Sequence, residues 1–550
     1  MPASPSCSPH HRPRLIWAAA LLLSFGCAAG RAAEAPASAA AAAPQGFRHR
    51  GFYLHEGWLF KRPFAVRAWK REDFAAMYQL LKRLGFDRVM NWPMFESIPA
   101  PLSETDARAL RDYRRTIDDA HAAGLEFWLA QCANLTPPPS IAAKPWKERN
   151  PYPVWKHVRL DDAAEAAAYF AHRRAMMEIV NTADAYVTID GDPGGYADAN
   201  PREWLSVFRA DRSTLDAVGK AAARQRLIPW VWCGWGTEKV WGGDPRNPPE
   251  RIVPFVKASL DTLAAGMPEP WQLLPGRSNP PDRANGRVNL VLAEEAGLIP
   301  RSTLFLYEAI EYEPSIPGSN MQFADIRRML RDEAKHAAVA DGVFGNAQQP
   351  VMVLPNLYFF ARASADLAYL DTPDEEVLGD LADLLGGPRD LLVPAWRCLS
   401  LPLDRLPADL PAELRKATLT GEAGQFIPGG QRQYLDILAA EVESRRGLLE
   451  AIAKPAGSAD EAAAKLAAAT RAIVGWWKVH GYVNDGDERT PFAWRFVRGE
   501  HVGALRAWAK ANVTDRDAVI AAAARSLAAS GTLGEEEAAK RLAEIVPVAG

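Results

Sequence analysis

The sequence predicts an α/β fold, a (β/α)8 TIM barrel followed by an all-helical C-terminal domain. Between about Gly46 and Gln348, short apolar runs alternate with amphipathic stretches of 3.6-residue period. This happens eight times over about three hundred residues, the count and length of such a barrel. Glycines close several of the amphipathic stretches, as helix ends often require: Gly85, Gly124, Gly266 and Gly297. After Pro355 the strand pattern stops. An open doubly wound sheet usually has fewer strands and a glycine-rich first turn, which this chain lacks.

The units follow in order. "GFYLH" reads as the first strand, and Phe74, Met77, Leu81 and Leu84 mark the apolar face of the first helix. "FDRVMNW" precedes the helix "ARALRDYRRTIDDAHAAG". "LEFWLAQC" precedes a proline-rich loop and "DAAEAAAYFAHRRAMMEIV". "AYVTID" is the fourth strand, with a helix near "RSTLDAVGKAAAR". "LIPWVWCGW" is the fifth, with "ERIVPFVKASLDTLAAG" after it. "PWQLL" is a weak sixth, with a short helix at "NLVLAEEAG". "STLFLYEAI" and "ADIRRMLRDEAKHAAVA" form the seventh unit, and "DGVFGNAQ" is the eighth strand. The remainder is alanine-rich and helical, apart from the connector "LPLDRLPADLPAEL" and the polar, aromatic loop "GYVNDGDERTPFAWR", which is suited to reach a cleft.

The ends of the chain and its composition narrow the class. Arg12 and Arg14 precede "LIWAAALLLSF" and small residues, the pattern of a secretory signal with cleavage near Ala29. "LLSFGC" also loosely resembles a lipobox, with Cys27 as the lipidated residue. The expected organisation is a signal over 1–33, an Ala/Pro-rich linker over 34–45, the barrel over 46–354 and the helical domain over 355–550. The protein is expected to be exported, periplasmic or extracellular, with no transmembrane segment. Beyond the signal, Cys132, Cys233 and Cys398 are an odd set and read as small buried hydrophobes, not a disulfide framework. A net charge of −3 offers no electrostatic footprint for nucleic acid. Eighteen tryptophans favour a surface that stacks on flat apolar faces, such as those of sugar rings.

In a barrel, the C-terminal strand ends line the active site, so they are read together. They supply His55 and Glu56; Asn91 and Trp92, with Glu96 beyond; Gln131 and Asn134; Asp190 and Asp192, then Tyr196; Trp232 and Trp235; Tyr307, Glu308, Glu311, Tyr312 and Glu313; and Asn346, Gln348 and Gln349. Amides and carboxylates bond sugar hydroxyls, and aromatic faces pack on the C–H face of a pyranose. Few cations stand there, so a phosphate site is disfavoured. A single strand-end histidine, without His-x-His or His-Glu-x-x-His, disfavours a catalytic metal; no cofactor is expected.

Asp190 and Asp192 are two apart on an extended chain and share a face. Like charges so placed raise each other's proton affinity, a way to make an acid. They also fit a plain Asp-Gly turn before Pro193-Gly194-Gly195. Glu308 on an apolar strand needs a partner or a purpose. Glu311 and Glu313 read more as loop charges.

An acidic pair ending the fourth strand of a secreted barrel resembles the hexosaminidase-like glycoside hydrolases. That resemblance implies an acid/base carboxyl whose neighbour orients a substrate acetamido group. Asp190-Gly191-Asp192 also resembles the end of the chitinase-type strand-four motif, but Thr188 stands where that motif has an Asp, and its last acid is Glu. "GVFGNAQQPVMVLPNLYFFAR" is similar in style to the end of α-glucuronidase-like barrels.

The expected function is glycoside hydrolysis with a carbohydrate substrate. Asp192, Asp190 and Glu308 are the catalytic candidates. His55, Glu56, Asn91, Trp92, Gln131, Tyr196, Trp232, Trp235, Tyr307, Asn346 and Gln348 are the candidates for substrate contact. Asp192 would donate the proton, with Asp190 orienting or Glu308 acting from across the barrel. A carboxyl separation of about 5–5.5 Å implies direct retention and roughly 6.5–9.5 Å inversion. A non-catalytic sugar-binding barrel is the other reading.

Overall fold

The computed structural model describes residues 46–57, 62–149, 156–189, 201–221, 223–232, 249–277, 287–311, 321–398, 407–480, 492, 494, 497 and 499–547. The expected signal, the linker up to residue 45, and the loop "GYVNDGDERTPFAWR" except Phe492 and Trp494 lie outside them.

Eight parallel strands close a barrel: β1 (His49–His55), β2 (Arg88–Trp92), β3 (Glu126–Cys132), β6 (Ala185–Ile189), β7 (Arg226–Val231), β8 (Leu274–Arg277), β9 (Thr303–Leu306) and β10 (Gly342–Ala347). They follow one another in chain order, and β10 returns to β1 with His49 opposite Gly342 and Leu54 opposite Ala347. Between β3 and β6 lies a small antiparallel pair, β4 (Leu135–Thr136) and β5 (Lys156–His157), which the sequence does not predict. The sixth barrel strand runs over "LPGR", just beyond "PWQLL"; Trp271 and Leu273 make only single bridges.

Helices α1 (Arg71–Leu84), α2 (Glu104–Ala122), α3 (Ala163–Ile179), α4 (Pro201–Val218), α5 (Pro249–Gly266), α6 (Val288–Glu295) and α7 (Phe323–Glu333) separate the strands. Their ends obey local chemistry. Ser103 caps α2 by accepting the Asp106 N–H, and Asp162 caps α3 with two such bonds. Gly85 ends α1 at φ 105°, a conformation that penalises a Cβ.

Side chains alternate across each strand, so two cores form. Outward residues such as Phe52, Leu54, Val89 and Phe127 join the large core under the helices. Inward residues fill the lumen with Tyr53, Met90, Trp128, Trp230, Phe305 and Phe344. Rings meet there edge-on or tilted: Tyr53 and Trp230 at 5.3 Å, Trp230 and Phe305 at 5.0 Å, Trp128 and Phe344 at 4.8 Å. So many large rings fit because small residues face them. A Cβ on Gly51 would stand 2.2 Å from the Phe344 ring.

The N-terminal end of the barrel is tied by charge. Buried Arg88 bridges Asp341 and Glu126, Glu126 also pairs with Arg226, and Thr303 donates to Asp341 at 3.1 Å. The lumen is therefore a packed core closed at this end.

From Leu354 onward the described chain is helical. Helix α8 (Leu354–Ala365) packs against α1, α7 and β1, with Phe360 stacked on Phe86 at 6.4 Å. Then follow α9 (Asp374–Leu385), α10 (Arg389–Arg397), α11 (Leu410–Leu414), α12 (Gln431–Ile452), α13 (Ala459–His480), α14 (Gly499–Asn512), α15 (Arg516–Ala529) and α16 (Glu535–Ile545). Helices α12 and α13 are the main pair, and between them Glu441 accepts from Arg445 at 2.9 Å and from the Trp476 indole. Cys132 and Cys398 are buried and form no disulfide among the described residues, and Cys233 lies outside them. No described helix is long and apolar enough to cross a membrane.

Candidate functional site

The site is built where β9 and β10 leave the barrel. On β10, Asn346 shares the lumen face with Phe344, and its Oδ1 accepts the backbone N–H of Glu308 at 2.7 Å. Glu308 takes φ 63° and is fully buried. An L-residue in that conformation costs about 1–2 kcal/mol, so the neighbouring contacts must impose it. They do so from two sides. The Glu311 carboxylate accepts the backbone N–H groups of Gln348 and Gln349. Asn356 on α8 donates to the Ile310 carbonyl at 2.8 Å and accepts from Gln322 N–H at 3.0 Å. The turn carrying Glu308 is thus fastened to both β10 and α8.

Aromatic rings floor the mouth. His55 lies 5.4 Å from Trp92, Trp92 lies 6.3 Å from Trp230, and Trp232 lies 5.6 Å from Trp230 and 4.6 Å from Tyr307. Gln348 donates to the Tyr307 hydroxyl at 3.3 Å. Burial lowers the His55 pKa to about 4, against a hydrogen bond with Gln348 that raises it, and Arg67 lowers it further. Its imidazole is neutral at pH 7.

Several buried polar atoms at this end of the barrel have no hydrogen-bond partner among the described residues: Asn346 Nδ2, Trp230 Nε1 and both amide atoms of Gln349, which follows β10, all on residues no more than 1% exposed. Each such atom costs about 1–3 kcal/mol when left unmade, so polar groups entering the mouth would relieve the cost. Two of them, on Asn346 and Trp230, are donors facing the lumen, and Asn346 also holds the backbone of Glu308.

Other predicted residues sit behind the strands. Asn91 alternates with the lumen-facing Met90 and Trp92, so it points toward α1 and α2 and donates to Glu56 at 3.3 Å. Glu56 also accepts from the Tyr113 hydroxyl at 2.9 Å. Burial raises its pKa, against the lowering effect of Lys147, Tyr113, Arg67 and Asn91. Gln131 likewise faces outward, into a cavity of about 20 Å³ shared with Glu96, Tyr169, His172 and Arg173. Arg173 pairs with Asp211 at 2.6 Å and donates to Thr188 near the end of β6 at 3.0 Å. Asp190, Asp192, Tyr196, Trp235, Tyr312 and Glu313 lie outside the described residues.

The structure therefore brings His55, Trp92, Trp232, Tyr307, Glu308, Asn346 and Gln348 together, and sets Glu56, Asn91 and Gln131 in the layer behind. Sequence reasoning missed Trp230, whose parity with Trp232 on one strand was the available signal. It also set Glu311 aside as a loop charge, and no local pattern marks its two backbone partners, which lie 37 and 38 residues later.

No protein-family model matches the chain, and no curated protein matches it. Among solved structures it is similar to a mutant O-GlcNAc hydrolase from Thermobaculum terrenum, at 11% identity over 88% of this chain and 97% of the other, with a TM-score of 0.42. It is also similar to a GH138 enzyme targeting pectin rhamnogalacturonan II, at 10% identity over 85% and 84% of the two chains, with a TM-score of 0.45. A third is a GH115 4-O-methyl-α-glucuronidase with specificity for decorated arabinogalactans, at 11% identity over 84% and 61%, with a TM-score of 0.41. These likenesses assign no family.

Proposed function

We propose that the protein is a glycoside hydrolase acting on a glycan or oligosaccharide at the C-terminal face of the barrel, by carboxylate general acid catalysis. The observation that carries this reading is the mouth itself. Glu308, a buried glutamate whose backbone is fixed by Asn346, stands at the end of β9 near two unpaired lumen-facing donors, on Asn346 and Trp230, among rings that can pack on a pyranose. A sugar hydroxyl accepts from such donors and donates to such a carboxylate. Asp192 is assigned the proton transfer to the leaving oxygen, Asp190 raises its proton affinity, and Glu308 assists from the turn after β9. The basic and apolar N-terminal segment directs export, with Cys27 as an optional lipid anchor.

The test is a panel of chromogenic glycosides and polysaccharides, followed by variants on the best substrate. General acid catalysis is worth about 10²–10⁴-fold, so Asp192→Asn should depress turnover by about that much, and less on activated aryl glycosides. Asp190→Asn should displace the limb of the pH–rate profile that reports the acid. Full activity of Asp192→Asn on a natural glycan would reduce the pair to a turn. Tight glycan binding without turnover would favour a sugar-binding barrel instead, for which the same aromatic floor would serve.

A further inference from the structure

Glu96 has no place in the chemistry above, yet it is 6% exposed and stands four residues after Trp92. Met94, at φ 60°, turns the chain sharply after β2, and a short 3-10 turn from Phe95 to Ser97 carries Glu96 back beneath the strand end. One carboxylate oxygen, Oε2, accepts the Trp92 indole N–H at 3.1 Å. The other, Oε1, accepts the backbone N–H of Cys132 at the end of β3. A single carboxylate therefore ties a β2 side chain to the β3 backbone. Trp92 in turn lies against His55, tilted by 37°, and meets Trp230 edge-on at 75°.

We infer that Glu96 is a positioning residue that fixes the plane of the Trp92 indole in the floor of the mouth. The inference rests on the reading of that mouth as a sugar site. Each carboxylate oxygen accepts from an N–H donor, so the side chain works as an acceptor on both oxygens. A glutamine keeps the length and the polarity but offers only one acceptor oxygen. Of the two donors, the backbone N–H of Cys132 is fixed by the strand ladder, whereas the indole is otherwise held by its ring contacts, so the indole is the one released. Bonds to a charged group are the stronger kind, so this loss is not made good by rotation of the ring.

The experiment is a double-mutant cycle on glycan affinity with Glu96→Gln and Trp92→Phe, using the tightest ligand from the panel. Glu96→Gln should weaken binding and raise KM about tenfold with kcat changed less. In the Trp92→Phe background the same substitution should cost under about twofold. The indole ¹⁵N–¹H resonance of Trp92, assigned by its loss in Trp92→Phe, should be protected from solvent exchange in the wild type and shift in Glu96→Gln. Equal costs in both backgrounds would place the role of Glu96 in the Cys132 backbone alone and overturn the inference. If Glu96→Gln does not fold, a rapidly exchanging Trp92 indole in the wild type overturns it by itself, and a protected one sustains it. If no glycan binds the wild type, the sugar reading fails, and the resonance still decides the link between Glu96 and Trp92.

Discussion

Replacing Glu308 by glycine should make the protein more stable and less active. Glu308 holds φ 63°, which costs an L-residue about 1–2 kcal/mol and glycine nothing. Glycine loses about 0.5–1 kcal/mol more chain entropy on folding, which offsets part of the gain. The strain alone is thus worth about 1 kcal/mol net. Glu308→Ala is the companion variant: it removes the same carboxylate but keeps the Cβ and therefore the strain. The backbone N–H bonded to Asn346 survives in both, so the difference between them isolates the backbone conformation. Urea unfolding should place the glycine variant above the alanine variant by about 1 kcal/mol. Turnover should fall in both, by similar factors, because both lack the carboxylate. An alanine variant as stable as the glycine variant would show that this turn is not strained. Unchanged turnover in both would remove Glu308 from the chemistry.

Two further predictions concern charge. Burial pushes the Asp341 carboxyl up, but the hydrogen bond and charge of Arg88 outweigh it and hold the pKa below 3.8. Its contribution is present above that value and is lost as pH falls through the lowered one, so it weakens only in strong acid; Arg88→Met, leaving the part-buried Asp341 carboxylate with Thr303 but without its charge partner, should cost about 1.5–3 kcal/mol at pH 7 in urea melts. Burial, with the Arg445 charge, lowers the His501 pKa to about 4, against the opposing effect of Glu441, so the folded protein keeps this imidazole neutral while the unfolded chain binds a proton below 6.5. Stability should then fall from pH 6.5 to 4 by the order of 3 kcal/mol from this residue, and His501→Gln should flatten that fall while leaving the part due to His55.

Much of the architecture was legible because it depends on periodicity. Eight short apolar runs and the helices between them are local signals, and each of the eight runs lies on or beside a strand of the closed barrel. The sixth run slipped onto "LPGR" because its neighbours fix the register. Ser302 bridges Leu273, and Arg277 pairs with Leu306, so the ladder continues where the sequence shows only proline and glycine. The hairpin of β4 and β5 was invisible, being two residues on each side.

The site was legible as an inventory but not as an arrangement, for a geometric reason. A residue near a strand end counts toward the mouth only if its parity puts it on the lumen face and its neighbours leave it there. Parity separates Trp92 from Asn91, and Trp230 from Val231, although all four sit at strand ends. The Asn91 amide nitrogen then spends its donors on Glu56 and Tyr78 behind the sheet. Asn346 instead keeps a donor unspent, having used its oxygen to hold Glu308. The sequence lists both asparagines alike. What distinguishes them is a bond from the turn after β9 to β10 that spans 38 residues, accepted from the backbone N–H of Glu308, the buried glutamate whose backbone takes the unfavourable φ of 63°. A fold that needed only stability would place a glycine at Glu308. Keeping a strained glutamate there, with Glu311 and Asn356 bracing its turn, is the arrangement expected of a group held ready for a substrate.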